Sequence, residues 1–142
     1  MTGIILARKL LAANWQDQIE KKLGLETRVF SLATDLDLME CINEKCDFFI
    51  IESTVPIRNS VDKLALQNGP SVVGAQYILS KLRGDGNPNN KTPVIYTSVL
   101  TWEKIGELRD FFESHNDVYF FHELETDGMA PAVEDIMKKY DF

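Results

Sequence analysis

Short apolar runs alternate along the chain with longer stretches in which apolar residues recur every three or four positions. Runs of the first kind are typical of strands, and stretches of the second kind are typical of amphipathic helices. The predicted strands are residues 3–6, 27–32, 47–52, 93–98 and 118–121. The predicted helices are residues 12–23, a short helix that Asp35 caps and that ends near 43, and residues 73–82, 101–114 and 130–140.

The third predicted strand is the best guide to the architecture. Its sequence, DFFIIE over residues 47–52, is apolar except at the two ends. Such runs are typical of a central parallel strand that is buried on both faces. Five strands that alternate with five helices favour a parallel sheet with helices on both sides. We therefore predict a single α/β domain over residues 1–142.

Two connecting segments stand out from the rest. Residues 53–72 are longer than most strand-to-helix connections and are predicted to be an inserted or extended loop that covers one edge of the sheet. They contain too many apolar residues for a purely solvated linker. Residues 84–90, with the sequence GDGNPNN, are predicted from their composition to be a surface turn.

Composition limits the kinds of function that the chain can have. The formal charge of −7 argues against nucleic-acid binding, which needs basic residues to neutralise phosphates. No apolar run approaches the roughly 18 residues that suggest a membrane span. The first residues lack the order of charge followed by a long apolar run that marks a signal peptide. We therefore expect a cytoplasmic protein that binds neither nucleic acid nor membrane.

The two cysteines, Cys41 and Cys46, do not predict a metal site. Zinc needs about four ligands at a recognisable spacing, and His115 and His122 do not supply the missing ones. A disulfide is not expected in the cytosol. Both cysteines are therefore predicted to be ordinary buried or half-buried thiols, and no cofactor is predicted.

The candidate functional residues are those that leave the strands, because ligands of open α/β sheets bind at the carboxyl ends of the strands. Strand one exits into Ala7 and Arg8, and strand three ends at Glu52. Strand four ends near Thr97, and strand five exits into His122. We expect Glu52, Thr97 and His122 to cluster at one edge of the sheet.

The spacing of these residues resembles that of a known family. Asp47 is followed by Glu52 five residues later and by Pro56 four residues after that, and residues 93–97 read PVIYT. In these features the chain resembles the receiver domain of two-component response regulators. The resemblance implies a CheY-like, flavodoxin-like fold: a doubly wound, five-stranded parallel sheet in the order 2-1-3-4-5. It also implies a signalling role in a phosphorelay.

The resemblance also implies roles for single residues. Glu52 stands at the position of the phosphoacceptor aspartate, and Thr97 stands at or next to the Ser/Thr switch. Tyr119, three residues before His122, matches the aromatic switch position, and His122 takes the place of the family's lysine. These residues, together with Arg8, form the predicted switch edge.

The chain departs from the family where phosphorylation chemistry is concerned. The family's first strand ends in an acid pair that binds Mg²⁺, and here those positions hold Ala7 and Arg8. Mg²⁺ prefers carboxylate oxygens, which neither residue offers. Glu52 is also one methylene longer than aspartate. No metal site, no catalytic residue and no conventional phosphotransfer are therefore predicted.

Two interpretations of these residues are open. Arg8 either points to solvent, or lies beside Glu52 and replaces the charge of the metal through a charge-assisted pair, which would hold the domain in one switch state. His122 is either a pH-sensitive counter-charge for Glu52 or an ordinary half-exposed histidine. Thr97 and Tyr119 are either remnants of a coupled switch or ordinary strand formers.

The leading functional hypothesis is a pseudo-receiver: a non-enzymatic signalling module that acts through protein partners. Its predicted interaction face comprises helix four, strand five and helix five. Trp102, Phe120 and Phe121 lie on this face in the sequence, and an exposed aromatic cluster there would support a site for a partner or a second copy of the chain.

Two other functions are kept as alternatives. One is a receiver that is phosphorylated unconventionally, on Ser53, Thr54 or Thr97. The other is a small α/β enzyme or nucleotide binder on the same fold. The latter is disfavoured because the glycine-rich dinucleotide motif, the P-loop and the nucleophile-elbow motif are all absent from the sequence.

Overall fold

The strands and helices follow the predicted alternation. The computed structural model describes residues 2–53, 55, 74–98, 107–122 and 128–140. The strands are β1 (Thr2–Leu6), β2 (Glu26–Phe30), β3 (Phe48–Glu52), β4 (Val94–Ser98) and β5 (Val118–His122). The helices within these residues are α1 (Lys9–Leu23), α2 (Leu36–Cys41), α3 (Gly74–Leu82), α4 (Glu107–Glu113) and α5 (Met129–Lys139). Most of the predicted loop 53–72, including Thr54 and Pro56, lies outside the described residues.

The strands form one parallel sheet in the order β2-β1-β3-β4-β5. This order confirms the predicted fold class. Every residue of β3 and β4 is buried, as expected of central strands that are covered on both faces. β5 is an edge strand and is half-buried along most of its length.

Side chains alternate between the two faces of the sheet and build a separate apolar cluster on each. On one face α1 and α5 cover the sheet, and Trp15 and Ile19 of α1 pack there with Val133 and Ile136. On the other face α2, α3 and α4 contribute the cluster that includes Leu38, Cys41, Ile78, Leu79 and Phe112. No helix in the described part of the chain is long and apolar enough to span a membrane.

Helix α1 begins at Lys9, three residues earlier than predicted, so Arg8 is its N-cap residue. Leu10 is 89% exposed, and the buried residues of the helix begin only at Ala12, which is where the apolar pattern placed the start. The helix ends where expected. Gly24 adopts a left-handed conformation with φ of 67°, and its N–H donates to the carbonyl of Glu20.

The composition of residues 84–90 predicted a surface turn, but part of this turn is buried. Asn89 within it is fully buried. Its Nδ2 donates to the carbonyls of Ile42 and Glu44 at 2.9 and 2.7 Å, and its Oδ1 accepts the N–H of Cys46 at 2.9 Å. Composition correctly indicated a turn, but it did not show that one amide would match three backbone groups of another loop. The turn therefore ties the amino ends of β3 and β4 together.

Candidate functional site

Arg8 and Glu52 meet at the carboxyl edge of the sheet. β1 and β3 are direct neighbours, with Leu6 opposite Ile51, so the residues that follow leave the sheet side by side. The Nε atom of Arg8 lies 2.6 Å from Oε2 and 2.8 Å from Oε1 of Glu52. The backbone N–H of Arg8 also donates to Oε1, at 3.2 Å. Of the two interpretations that the sequence left open, the structure shows the paired one.

The two partners differ greatly in exposure. The side chain of Glu52 has no exposed surface, whereas that of Arg8 is 57% exposed. A carboxylate that is buried needs a charged or hydrogen-bonding partner to offset the loss of water. Both oxygens of Glu52 share the charge-assisted Nε–H of Arg8, and Oε1 also accepts its backbone N–H. The carboxylate therefore lies beneath the guanidinium, which faces the solvent.

Thr97 and His122 leave neighbouring strands at the same edge. Thr97 is opposite Glu52 in the pairing of β3 with β4, and it is fully buried. Its carbonyl accepts the N–H of Ser53 at 2.8 Å. His122 is opposite Ser98 at the end of β5 and is half-buried. The expected cluster of strand ends is therefore present; the switch roles of its members stay predictions.

Tyr119 lies further from this edge, opposite Ile95. Its side chain belongs to the face covered by α1 and α5, and its hydroxyl lies 2.6 Å from that of Tyr140. Sequence reasoning missed Tyr140, because an aromatic residue after two lysines at a helix end gives no pattern that points to a strand residue.

The two described aromatic residues that were considered for the face of α4, β5 and α5 do not form an exposed cluster. Phe121 is 8% exposed and belongs to the core on the α1 and α5 side. Phe120 is half-buried on the opposite face, where its ring centroid lies 6.1 Å from that of Tyr96. Trp102 lies outside the described residues. Alternation along β5 turns Phe121 toward α1 and α5, so it does not contribute to such a cluster.

The residues at the carboxyl edge do not fit the Mg²⁺ site that the resemblance implies. Ala7 offers no side-chain oxygen, and Arg8 brings a positive charge. Both carboxylate oxygens of Glu52 already accept bonds from that arginine. Within the described ranges, no group of three His, Cys, Asp or Glu side chains is placed to hold a metal ion. The donor set therefore differs from the one that a hard cation requires.

An open cleft of about 540 Å³ adjoins the pair at the start of α1. The described part of its wall consists of Arg8, Lys9, Leu10, Leu11 and Asn14. It combines two cationic side chains with exposed apolar surface. This surface lies next to the buried carboxylate and is the solvent-facing side of the candidate site.

Comparison with known proteins supports the fold. Neither protein-family profiles nor curated protein sequences match the chain. The Francisella response regulator 1452 receiver domain has a similar structure, with a TM-score of 0.65 and 20% identity over 98% of this chain and 97% of that chain. A CheY-like receiver domain from Methylobacillus flagellatus has a TM-score of 0.61 and 14% identity over 95% and 96%.

The chain has the fold of a response-regulator receiver domain. The same fold occurs in a protein of a streptococcal family of redox sensors that evolved from two-component response regulators. That protein is 11% identical, with a TM-score of 0.68, and the match spans the whole of this chain but 53% of the longer protein. At these identities the likeness is one of fold, and the chemistry has to be argued from the residues at the carboxyl edge.

Proposed function

We propose that this receiver-fold chain is a signalling module that acts through protein–protein contacts, without Mg²⁺-dependent phosphorylation of an aspartate and without enzymatic activity. The observation that carries the proposal is the bonding of both carboxylate oxygens of Glu52 by Arg8, with the carboxylate fully buried. Location in the cytoplasm is a further part of the proposal and rests on the sequence.

The physical argument concerns charge. Aspartyl phosphorylation needs a carboxylate nucleophile, a divalent cation to neutralise the phosphate and a cationic side chain for the developing negative charge. At this edge the carboxylate of Glu52, at the end of β3, is paired with Arg8, and the side chain that supplies that charge also covers it. Arg8 thus supplies part of the charge that a metal would bring, which favours one fixed state of the edge.

The similarity to the streptococcal redox sensors supports the idea that the fold can serve an input other than phosphate. Those sensors evolved from response regulators. In this chain the fixed Arg8–Glu52 pair favours signalling through the protein surface. The face of α4, β5 and α5 is the proposed surface, for a protein partner or for a second copy of the chain.

The test is an attempt to phosphorylate the protein. The wild type is incubated with acetyl phosphate and Mg²⁺, and its intact mass is measured; a conventional receiver domain serves as the positive control. We expect no gain of a phosphoryl group in the wild type. A labile adduct on Glu52, or an adduct on Ser53, Thr54 or Thr97, would contradict the proposal and favour an unconventionally phosphorylated receiver.

The interaction part of the proposal is tested separately. Chemical cross-linking in the native cell, followed by capture of the tagged chain, should recover the same partner with the wild type and with Glu52→Asp. If the chain stays a monomer and no protein is cross-linked to it under any condition, this part of the proposal is contradicted. A small-molecule ligand that co-purifies at the carboxyl edge would instead favour an enzyme or a nucleotide binder.

A further inference from the structure

A chain of hydroxyl and carboxylate groups joins the end of α5 to the amino end of β5. Tyr140 follows the last residue of α5, and its backbone N–H donates to the carbonyl of Ile136 at 3.0 Å. Its hydroxyl lies 2.6 Å from that of Tyr119 and donates to a carboxylate oxygen of Asp117. Because that hydroxyl has a single proton, Tyr119 must be the donor in the bond between the two tyrosines. The order is therefore Tyr119 to Tyr140 to Asp117.

The acceptor at the end of this chain is held firmly. Asp117 has φ of 60° and is the one non-glycine residue of the described ranges in the left-handed region. That conformation costs about 1 kcal/mol and persists where the surroundings fix it. The carbonyl of Asp117 accepts the N–H of Val94 at 2.9 Å and an Nη–H of Arg83 at 3.4 Å. Asp117 is thus a fixed point to which Tyr140 is attached.

The ring of Tyr119 is also held by the end of α5. The Tyr119 and Tyr140 rings meet edge to face, with centroids 6.3 Å apart and planes at 84°. The Nζ atom of Lys139 lies 4.6 Å from the centroid of the Tyr119 ring, a favourable cation–π distance. β5 is the edge strand of the sheet that the described residues form, so none of those strands flanks it on its outer side. Lys139, the last residue of α5, and Tyr140, which follows it, therefore both hold the Tyr119 ring.

We propose that Tyr140 is a latch: when it is closed, it fixes the Tyr119 side chain and the last turn of α5 together, and when it opens, both are released as one unit. The rest of α5 stays on the sheet, because Val133 and Ile136 are buried in the core independently of the latch. Opening is thus a local event that changes the outer surface of β5 and α5. The inference does not depend on the function proposed above.

The test is hydrogen exchange of the complete chain, followed by mass spectrometry at neutral pH. Tyr140→Phe removes the central hydroxyl and keeps the ring. Loss of its two bonds should raise the exchange rate of the amides in the last turn of α5 by at least about tenfold, since even one hydrogen bond contributes about 1 kcal/mol or slightly more. Tyr119→Phe should raise exchange in the same turn. The double variant should exchange no faster than Tyr140→Phe, because both hydroxyls belong to one chain.

Tyr77→Phe is the matched control, since it removes a tyrosine hydroxyl from α3 on the other face of the sheet. It should leave the last turn of α5 unchanged. Unaltered exchange of that turn in Tyr140→Phe would overturn the latch. So would a rise spread evenly over all strands, which would mean that Tyr140 contributes only to global stability. Additive effects of the two tyrosine substitutions would likewise show that the two hydroxyls do not act as one device.

Discussion

Arg8 covers the carboxylate of Glu52, with Nε 2.6 Å from Oε2 and no surface of the glutamate side chain exposed. Replacing Arg8 with Ala would leave that carboxylate buried without its counter-charge. We expect the free energy of unfolding to fall by about 1–3 kcal/mol. The loss should lie in the lower half of that range, because water screens the half-exposed guanidinium. Urea denaturation measures the change, and Lys9→Ala, at the next exposed cation, should have an effect below about 0.5 kcal/mol.

The double variant Arg8→Ala/Glu52→Gln separates a specific interaction from coincidence. Once Glu52 is neutral, removal of Arg8 should cost much less than in the wild type, so the two changes should not be additive. Strictly additive losses would mean that the two residues do not interact. The idea that the pair holds the carboxyl edge in one state would then lose its physical basis.

Mg²⁺ should bind only weakly at this edge, with a dissociation constant in the millimolar range or higher. Arg8 repels a cation, and Ala7 offers it no oxygen. Titration calorimetry of the wild type against MgCl₂ measures the affinity, and Glu52→Gln is the matched variant. A site tighter than this that disappears in Glu52→Gln would show that the glutamate can exchange its arginine for a metal.

The alternation of apolar runs and amphipathic stretches was enough to predict the sheet, because burial on both faces leaves a clear signature in residues 47–52. Strand order came from the resemblance in spacing. Helix starts were harder to predict: α1 begins at Lys9, but its buried residues start only at Ala12 and Leu10 is exposed. Local pattern detects only those boundaries at which burial changes.

At the site, the exits of neighbouring parallel strands were predictable, and the contact of Arg8 with Glu52 was one of two interpretations that the sequence left open. The contacts made by Asn89 and Tyr140 were not. Both connect segments that are distant in sequence, Asn89 with the loop before β3 and Tyr140 with the start of β5. A polar residue in a turn or at a helix end looks the same in the sequence whether it faces solvent or a distant backbone group.

Asn89 should be much more sensitive to substitution than its neighbour in the same turn. Its amide donates to two carbonyls and accepts the Cys46 N–H, and it also accepts the hydroxyl of Thr92 at 3.0 Å. Asn89→Ala leaves several buried backbone groups without partners and should cost about 3 kcal/mol or more. Asn90→Ala, at an exposed position, is the control. Equal effects of the two substitutions on the thermal midpoint would show that burial of Asn89 contributes nothing.

Gly3 is required for the close packing of β1 on β3. It lies opposite Phe48, and a Cβ atom at this position would come within 2.1 to 2.7 Å of the Phe48 ring. Gly3→Ala should destabilise the protein by about 1–3 kcal/mol through overpacking. Phe48→Leu should recover part of this loss in the double variant, because it removes the ring. Gly24→Ala is the control: its site is open and its cost is conformational, so Phe48→Leu should give no recovery there.

The Cys46 thiol should be unreactive in the folded protein and should make stability depend on alkaline pH. Burial, with a smaller contribution from Asp47, raises its pKa from the ordinary 9.0 to about 12. Since the neutral thiol is favoured in the folded state, the stabilisation is fully present below pH 9 and is lost as the pH rises toward 12.

In Cys41→Ala, which keeps Cys46 as the one remaining cysteine, iodoacetamide at pH 8 should label the unfolded chain at least about 100-fold faster than the native protein. Equal rates in buffer and in urea would contradict this prediction, and Cys46→Ala should flatten the dependence of stability on pH above 9.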